Sequence, residues 1–281
     1  MQNVVVTGVS TGIGWSITKV LIEHGFHVFG SVRKVQDAER LSTELGERFV
    51  PLLFDVTDEA AIRAAAQQVR EQLNGETLSG LVNNARIAVP ALLMLQPADD
   101  FRRQLEVNLV SVLTVTQAFL SLLGTDRSRR GEPGRIINIS SVSGKAGFPF
   151  VGAYAASKHG LEGFSESLRR ELIPYGIDVI IVGPGSVATP IWDKAEQVEI
   201  SMYAETEYFE SAKRAREYMI SIGRNGYPPE KVGEVVWHAL TTPKPRVRYA
   251  VERGNFLSRI IPMLLPKRVL DRLIARNLGF K

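Results

Sequence analysis

Tyr154 and Lys158 stand four residues apart, a spacing that sets both side chains on one face of a helix. A phenol ordinarily loses its proton near pH 10, and bringing it to neutrality takes about 4 kcal/mol of preferential anion stabilisation. A neighbouring ammonium has the sign to supply that, so the pair is a candidate acid/base. The spacing alone is cheap evidence, because Tyr227 and Lys231 repeat it beside Pro228 and Pro229. Context separates the two. Tyr154-Ala-Ala-Ser-Lys158 follows an apolar run with a serine-rich end, Asn138-Ile139-Ser140-Ser141, and Tyr227 follows none. Taken singly, each candidate also has an ordinary reading: Ser141 as a turn residue, Tyr154 as a half-buried aromatic, Lys158 as a surface charge, Asn108 as a polar helix position.

A second constellation lies near the start of the chain, where Thr7-Gly8-Val9-Ser10-Thr11-Gly12-Ile13-Gly14 follows an apolar run and opens a helical pattern. Glycines there permit positive φ, a tight turn and a close approach of main-chain N–H groups to a phosphate seated on the helix N-terminus. The spacing is Gly-x-x-x-Gly-x-Gly. By itself it reads equally as a phosphate cradle or as a strand-to-helix turn with no ligand.

The elements that must position these residues follow from the alternation of short apolar, β-branched runs with longer helical patterns. Asn3–Val6, His27–Val32, Phe49–Phe54, Gly80–Val82, Arg135–Ile139 and Asp178–Val182 read as strands, with a seventh around Val247–Val251. Strands that are apolar at nearly every position and separated by helices imply a parallel sheet covered on both faces, an α/β, doubly wound arrangement. Such sheets place ligands beyond the carboxyl ends of their strands. After the sixth strand, residues 192–227 carry Met202, Tyr203, Tyr208, Phe209, Tyr218 and Met219 at helical spacing and read as a helical lid near the site. Residues 255–281 form a mixed apolar and basic tail. No repeat or linker marks a boundary, so residues 1–281 are expected to form one domain.

Together these motifs resemble the short-chain dehydrogenase/reductase family, over nearly the whole chain, and most of all bacterial members related to hydroxysteroid and retinol dehydrogenases. The resemblance implies a single Rossmann-like domain and hydride exchange between a nicotinamide cofactor and an alcohol or ketone carbon. Reducing a carbonyl leaves an alkoxide that must gain a proton, and oxidation reverses the steps, so one group must give and take protons. In the family's pattern Tyr154 is that acid/base, Lys158 lowers its pKa and holds the nicotinamide ribose, Ser141 orients the substrate oxygen, and Asn108 holds a water for proton relay. The cofactor is expected on Gly8, Ser10, Thr11, Gly12, Ile13 and Gly14, with Asp55 and Val56 at the adenine and Asn84 and Ala85 beside the ribose. Pro184, Gly185, Val187 and Thr189 match the segment that meets the nicotinamide carboxamide. One departure stands out: after Asn83-Asn84-Ala85 the family has glycine, and this chain has Arg86. NAD-preferring relatives end the second strand with a carboxylate, but here Val32 is followed by Arg33 and Lys34, which suits a 2′-phosphate. NADP(H) is therefore the expected cofactor and NAD(H) the alternative, with a non-catalytic nucleotide-binding regulator as the reading outside enzymes.

Composition closes off other classes. The 281 residues are 44% hydrophobic and include no cysteine, so disulfides, thiolate metal sites and a cysteine nucleophile are excluded. His24, His27, His159 and His238 lack partners at ligating spacing, and no metal is expected. The formal charge of +4 is dispersed, and the cluster Arg127–Arg130 sits in a glycine- and proline-bearing loop, so no nucleic-acid footprint is expected. No export signal is read at Met1–Val6, and a cytoplasmic location is expected. The apolar lid and tail, with Phe148, Pro149 and Phe150 beside the site, point to a lipophilic alcohol or ketone. No uninterrupted run reaches the roughly 20 apolar residues of a membrane span, although Ile260–Leu265 and Val269–Ile274, flanked by Lys267, Arg268 and Arg272, suit peripheral membrane contact. A homodimer or homotetramer is the family's habit and is expected here.

Overall fold

The structure, a computed structural model, describes residues 2–197, 199–252 and 265–280; of residues 194 and 195 only the main chain is described. It resolves into two compact units, residues 1–184 with 229–251, and residues 185–228 with 252–281.

The first unit is built on a seven-stranded, all-parallel sheet in the order β3-β2-β1-β4-β5-β6-β7. The strands are β1 (Asn3–Val6), β2 (His27–Val32), β3 (Phe49–Leu53), β4 (Gly80–Asn83), β5 (Arg135–Ile139), β6 (Asp178–Pro184) and β7 (Arg248–Val251). The expected strands are all present, within two residues at each end. Their interior positions are almost uniformly buried, as a sheet covered on both faces demands. The helices of this unit are α1 (Gly12–Glu23), α2 (Val35–Leu45), α3 (Glu59–Leu73), α4 (Ala98–Leu105), α5 (Ser111–Leu120), α6 (Gly152–Glu171) and, much later in the chain, α9 (Glu230–Thr241).

On one face α3, α5 and α6 pack Ile62, Val69, Val115, Phe119 and Leu168, with Leu122 just beyond α5, against Val5, Leu81, Ile136 and Val179 of the sheet. On the other, α1 and α9 meet so closely that a Cβ on Gly233 would lie 2.8 Å from Val20, and His24 stacks on Trp237 at 3.9 Å. The order of strands reverses between β1 and β4, which makes the crevice beyond their carboxyl ends the natural ligand site.

Residues 98–125 run as one long helical segment, with a π-helical turn at Glu106–Val110 between α4 and α5. Its composition is apolar enough to cross a bilayer, at a mean hydropathy of 1.7, but Val112, Val115, Phe119, Leu122 and Leu123 spend that apolarity on the core.

The second unit holds α7 (Ile191–Glu196), α8 (Phe209–Arg224) and α10 (Lys267–Leu278). Helices do follow the sixth strand, as the spacing predicts. Here Trp192 donates to the Val187 carbonyl at 2.7 Å and Tyr208 meets Phe280 edge-on. Val269 and Leu273 of α10 are exposed, whereas the other half of the proposed membrane-contacting tail, Ile260–Leu264, lies outside the described residues.

Candidate active site

The turn after β1 is shaped by what cannot fit in it. Gly8 and Gly12 adopt φ of +70° and +63°, the left-handed region that side chains avoid. A Cβ on Gly14 would run into the Gly8 carbonyl oxygen and the Asn84 amide. Asn84 stitches the turn to β4: its Nδ2 donates to the carbonyls of Thr7 and Gly8 at 2.8 and 3.0 Å, and the Thr7 hydroxyl accepts from the main chain of Asn84 and Ala85. Two groups are left without partners among the described residues. Thr11 precedes α1 without a side-chain capping bond, leaving first-turn N–H groups unsatisfied, and the buried Oδ1 of Asn84 has no partner among the described residues. Ser10 is half-buried, Thr11 exposed and Ile13 buried. The turn therefore fits a dinucleotide's phosphates.

At the ends of β2 and β3, Arg33 is exposed and its guanidinium lies 3.6 Å from the Asp55 carboxylate. Burial alone pushes the Asp55 carboxyl up, but bonds from the Thr57 N–H and hydroxyl, with the charge of Arg33, hold it below its ordinary value. Val56 is buried beside it.

Tyr154 and Lys158 both lie on α6, as the spacing requires, with Tyr154 half-buried and Lys158 wholly enclosed. The lysine ammonium donates to the Ile139 carbonyl at 2.9 Å, which ties α6 to the end of β5, and sits 5.8 Å from the Tyr154 ring centre. Burial is the main reason its pKa falls to about 7; the charge of Arg86 pushes the same way, and Glu162 opposes. Ser141 lies two residues beyond β5, mostly buried, its hydroxyl accepting from the Ser143 N–H at 3.1 Å. Asn108 occupies the π-helical turn. Its amide accepts from the Ile87 N–H at 2.9 Å and donates to the Ile87 carbonyl and the Ser157 hydroxyl, each at 3.0 Å. Ser157 in turn bonds the Tyr154 carbonyl, so Asn108 braces the helix that carries the tyrosine.

Sequence reasoning missed the groups behind Ser141. Glu162, one helical turn beyond Lys158 and almost fully buried, accepts both Arg248 Nε contacts at 3.0 and 3.2 Å and the Lys145 ammonium at 3.0 Å. Burial pushes its carboxyl up, yet these two cations outweigh it and hold the group below its ordinary value. Arg248 also reaches the Ser141 carbonyl at 3.5 Å. The i, i+4 step from Lys158 to Glu162 was the available signal; the partner on β7 was not visible without the sheet order. Phe150, read as apolar lining, is buried with φ of +67°, which leaves Phe148 exposed.

Pro184 closes β6, and Gly185, Val187 and Thr189 belong to the second unit. There Tyr227, set aside in the sequence, pairs with Val187 through main-chain bonds to Ser186 and Ala188.

Comparison with known proteins agrees with this geometry. The short chain dehydrogenase family profile matches residues 2–199. The chain is 36% identical over 278 residues to an NADPH-dependent 3-dehydrocapnine reductase from Ornithobacterium rhinotracheale, covering 99% of this chain and 98% of that protein. It is 32% identical to the human 17-beta-hydroxysteroid dehydrogenase type 6, over 98% of this chain and 88% of that one. Among solved structures, a short-chain dehydrogenase from Streptomyces avermitilis superposes with a TM-score of 0.76 at 25% identity, covering all of this chain and 98% of the other. The chain belongs to the short-chain dehydrogenase family and is an oxidoreductase acting on CH–OH groups.

Proposed function

We propose that this protein interconverts a ketone and a secondary alcohol on a lipophilic substrate with NADP(H), Tyr154 serving as acid/base. The observation that carries the reading is the enclosed Lys158 ammonium beneath Tyr154, fixed by the Ile139 carbonyl at the end of β5. When bound, the nicotinamide supplies or accepts the hydride. The glycine turn holds the phosphates, Asp55 and Val56 the adenine, Asn84, Ala85 and Lys158 the riboses, and Pro184 the carboxamide side. Ser141 orients the substrate oxygen, and Tyr154 passes its proton to that oxygen. With its side-chain amide occupied in bracing Ile87 and Ser157, Asn108 serves the proton relay through its main chain. The same reading takes the chain as a homo-oligomer.

Arg33 is the residue we assign to the 2′-phosphate; the NADPH dependence in the name of the bacterial reductase supports this. One observation favours NAD(H) instead: Arg33 already faces Asp55, which offsets part of its charge. Initial rates with a panel of lipophilic ketones and alcohols, followed by absorbance of the reduced nicotinamide, test the reading. NADPH is expected to support faster reduction, and Arg33→Asp to raise KM for NADPH about ten-fold or more with little change for NADH, as the loss of a charge-assisted phosphate contact predicts. An equal effect on both cofactors removes the role of Arg33.

A further inference from the structure

We propose that Arg86 seats an acidic group of the substrate. The ligand is then a lipophilic oxo or hydroxy acid, whose reacting carbon meets Tyr154 and whose oxyacid group meets Arg86. This rests on the catalytic reading above.

The main chain on both sides of Arg86 is pinned. Ala85 donates to the Thr7 hydroxyl at 3.0 Å and presses against Gly8, where a Cβ would lie 2.9 Å from its Cα. Ile87 is gripped at both its N–H and its carbonyl by Asn108. Arg86 is thus anchored at the carboxyl end of β4, between the nucleotide turn after β1 and the Ser141 and Tyr154 region after β5. Its side chain is half-buried, yet it forms no hydrogen bond or ion pair among the described residues. Other shielded guanidiniums of this unit have partners: Arg135 two carbonyls and Asp178, Arg248 the Glu162 carboxylate, and Arg129 the Glu76 carbonyl with Asp126 at 3.9 Å, although its buried Nε makes no hydrogen bond among the described residues. A guanidinium taken partly out of water without a partner is costly, and its planar fork matches a carboxylate, sulfonate or phosphate.

The neighbourhood is also short of negative charge. Arg86 is near enough to weaken the proton affinity of Lys158, and Glu162 is already committed to Lys145 and Arg248. An anion beside Arg86 satisfies the guanidinium and offsets the charge that it directs at Lys158. The nucleotide's phosphates are already accommodated by the glycine turn and Arg33, on the β1–β2 side.

The test uses long-chain oxo acids, with the oxo group two to four carbons from the carboxylate, against their methyl esters, with NADPH. Wild type is expected to favour an acid over its ester by about 10- to 100-fold in kcat/KM, the worth of a charge-assisted pair. Arg86→Gly, the residue the family carries there, is expected to bring that ratio to about one, mainly through KM, while Arg86→Lys retains part of it. A ratio near one in wild type, or one that survives in Arg86→Gly, overturns the proposal. So does a rise in KM for NADPH as large as that for the acid, which would assign the guanidinium to the cofactor. If wild type reduces neither form, the catalytic reading is at fault, and thermal shifts decide Arg86 alone: stabilisation by the acids in wild type and not in Arg86→Gly upholds it, and equal shifts overturn it.

Discussion

The chain contains the same four-residue step from tyrosine to lysine twice, and the two copies have different fates. Tyr154 and Lys158 ride one helix whose packing drives the lysine into the interior, where a carbonyl at the end of β5 holds it. Tyr227 lies before two prolines, pairs by main chain with Val187, and belongs to one compact unit, while Lys231 is exposed in the first turn of α9 in the other. The spacing places two groups on a helical face only where there is a helix to place them on. Proline lacks an N–H and disfavours helical geometry in the residue before it, so Tyr227 cannot join α9. Chemistry then comes from burial: an ammonium in water has no leverage on a phenol, and one enclosed beneath it does.

The sharpest way to break the comparison is to remove one hydroxyl from each copy. Tyr154→Phe is expected to lower kcat by about 10²- to 10⁴-fold, the usual contribution of a positioned acid/base, while leaving NADPH binding intact. Tyr227→Phe keeps the main-chain bridge and is expected to leave turnover close to wild type. If the two variants behave alike in steady-state kinetics, burial of Lys158 is not what confers the role.

Much of this was legible before any coordinates, for identifiable reasons. Strand positions and sheet type follow from apolar runs such as Val4–Val6 and Ile136–Ile139, because a strand buried on both faces leaves no room for polar residues. The glycine turn was legible because Gly8, Gly12 and Gly14 occupy positions that a Cβ would strain or fill. The bracing of Tyr154 through Asn108 and Ser157 was not legible, since it depends on a π-helical turn that has no local sequence signature. Nor was the buried Glu162 cluster, whose members come from residues 145, 162 and 248, and whose charges look like ordinary surface charges until the sheet order brings β7 beside β6.

That cluster provides the next largest test. Glu162→Gln leaves Arg248 and Lys145 without their anion, and loss of one partner of a buried pair is expected to cost about 3 kcal/mol of stability at pH 7. The loss shrinks in acid: the carboxyl's folded pKa is depressed, so its stabilising effect is present above the unfolded value and disappears as pH falls through the folded one. Because Arg248 also reaches the Ser141 carbonyl, kcat is expected to fall while KM for NADPH hardly moves. A structural defect alone does not move the pH profile. Removing the charge of Glu162 lowers the pKa of Lys158, so the alkaline limb of kcat shifts to lower pH, and Arg86→Gly shifts it the opposite way. Glu162→Asp is expected to restore part of both properties. If the limb stays in place in both variants, these groups do not act through Lys158.

The smallest effect concerns stability and contrasts the two lysines directly. Lys158, with a folded pKa of about 7 against an unfolded value near 10.5, binds its proton more weakly in the native state. Below pH 7 both states hold the proton and the full cost of burying the charge is present. Between pH 7 and 10.5 the unfolded chain carries more protons than the folded one, so stability rises with pH across that window and levels off above it. Lys158→Met removes the charge and the slope together. The Ile139 carbonyl loses its donor in exchange, so the net gain at pH 7 is expected to be about 1–2 kcal/mol, a few degrees in Tm, in a protein that no longer turns over. Lys231→Met, at an exposed position, is expected to change stability by less than about 0.5 kcal/mol at any pH. Thermal melts of the three proteins at pH 6, 8 and 10 decide it. A wild-type Tm that does not rise relative to Lys158→Met from pH 6 to pH 10 means that the ammonium is not paying a desolvation cost, and the physical difference between the two tyrosine–lysine pairs then lies elsewhere.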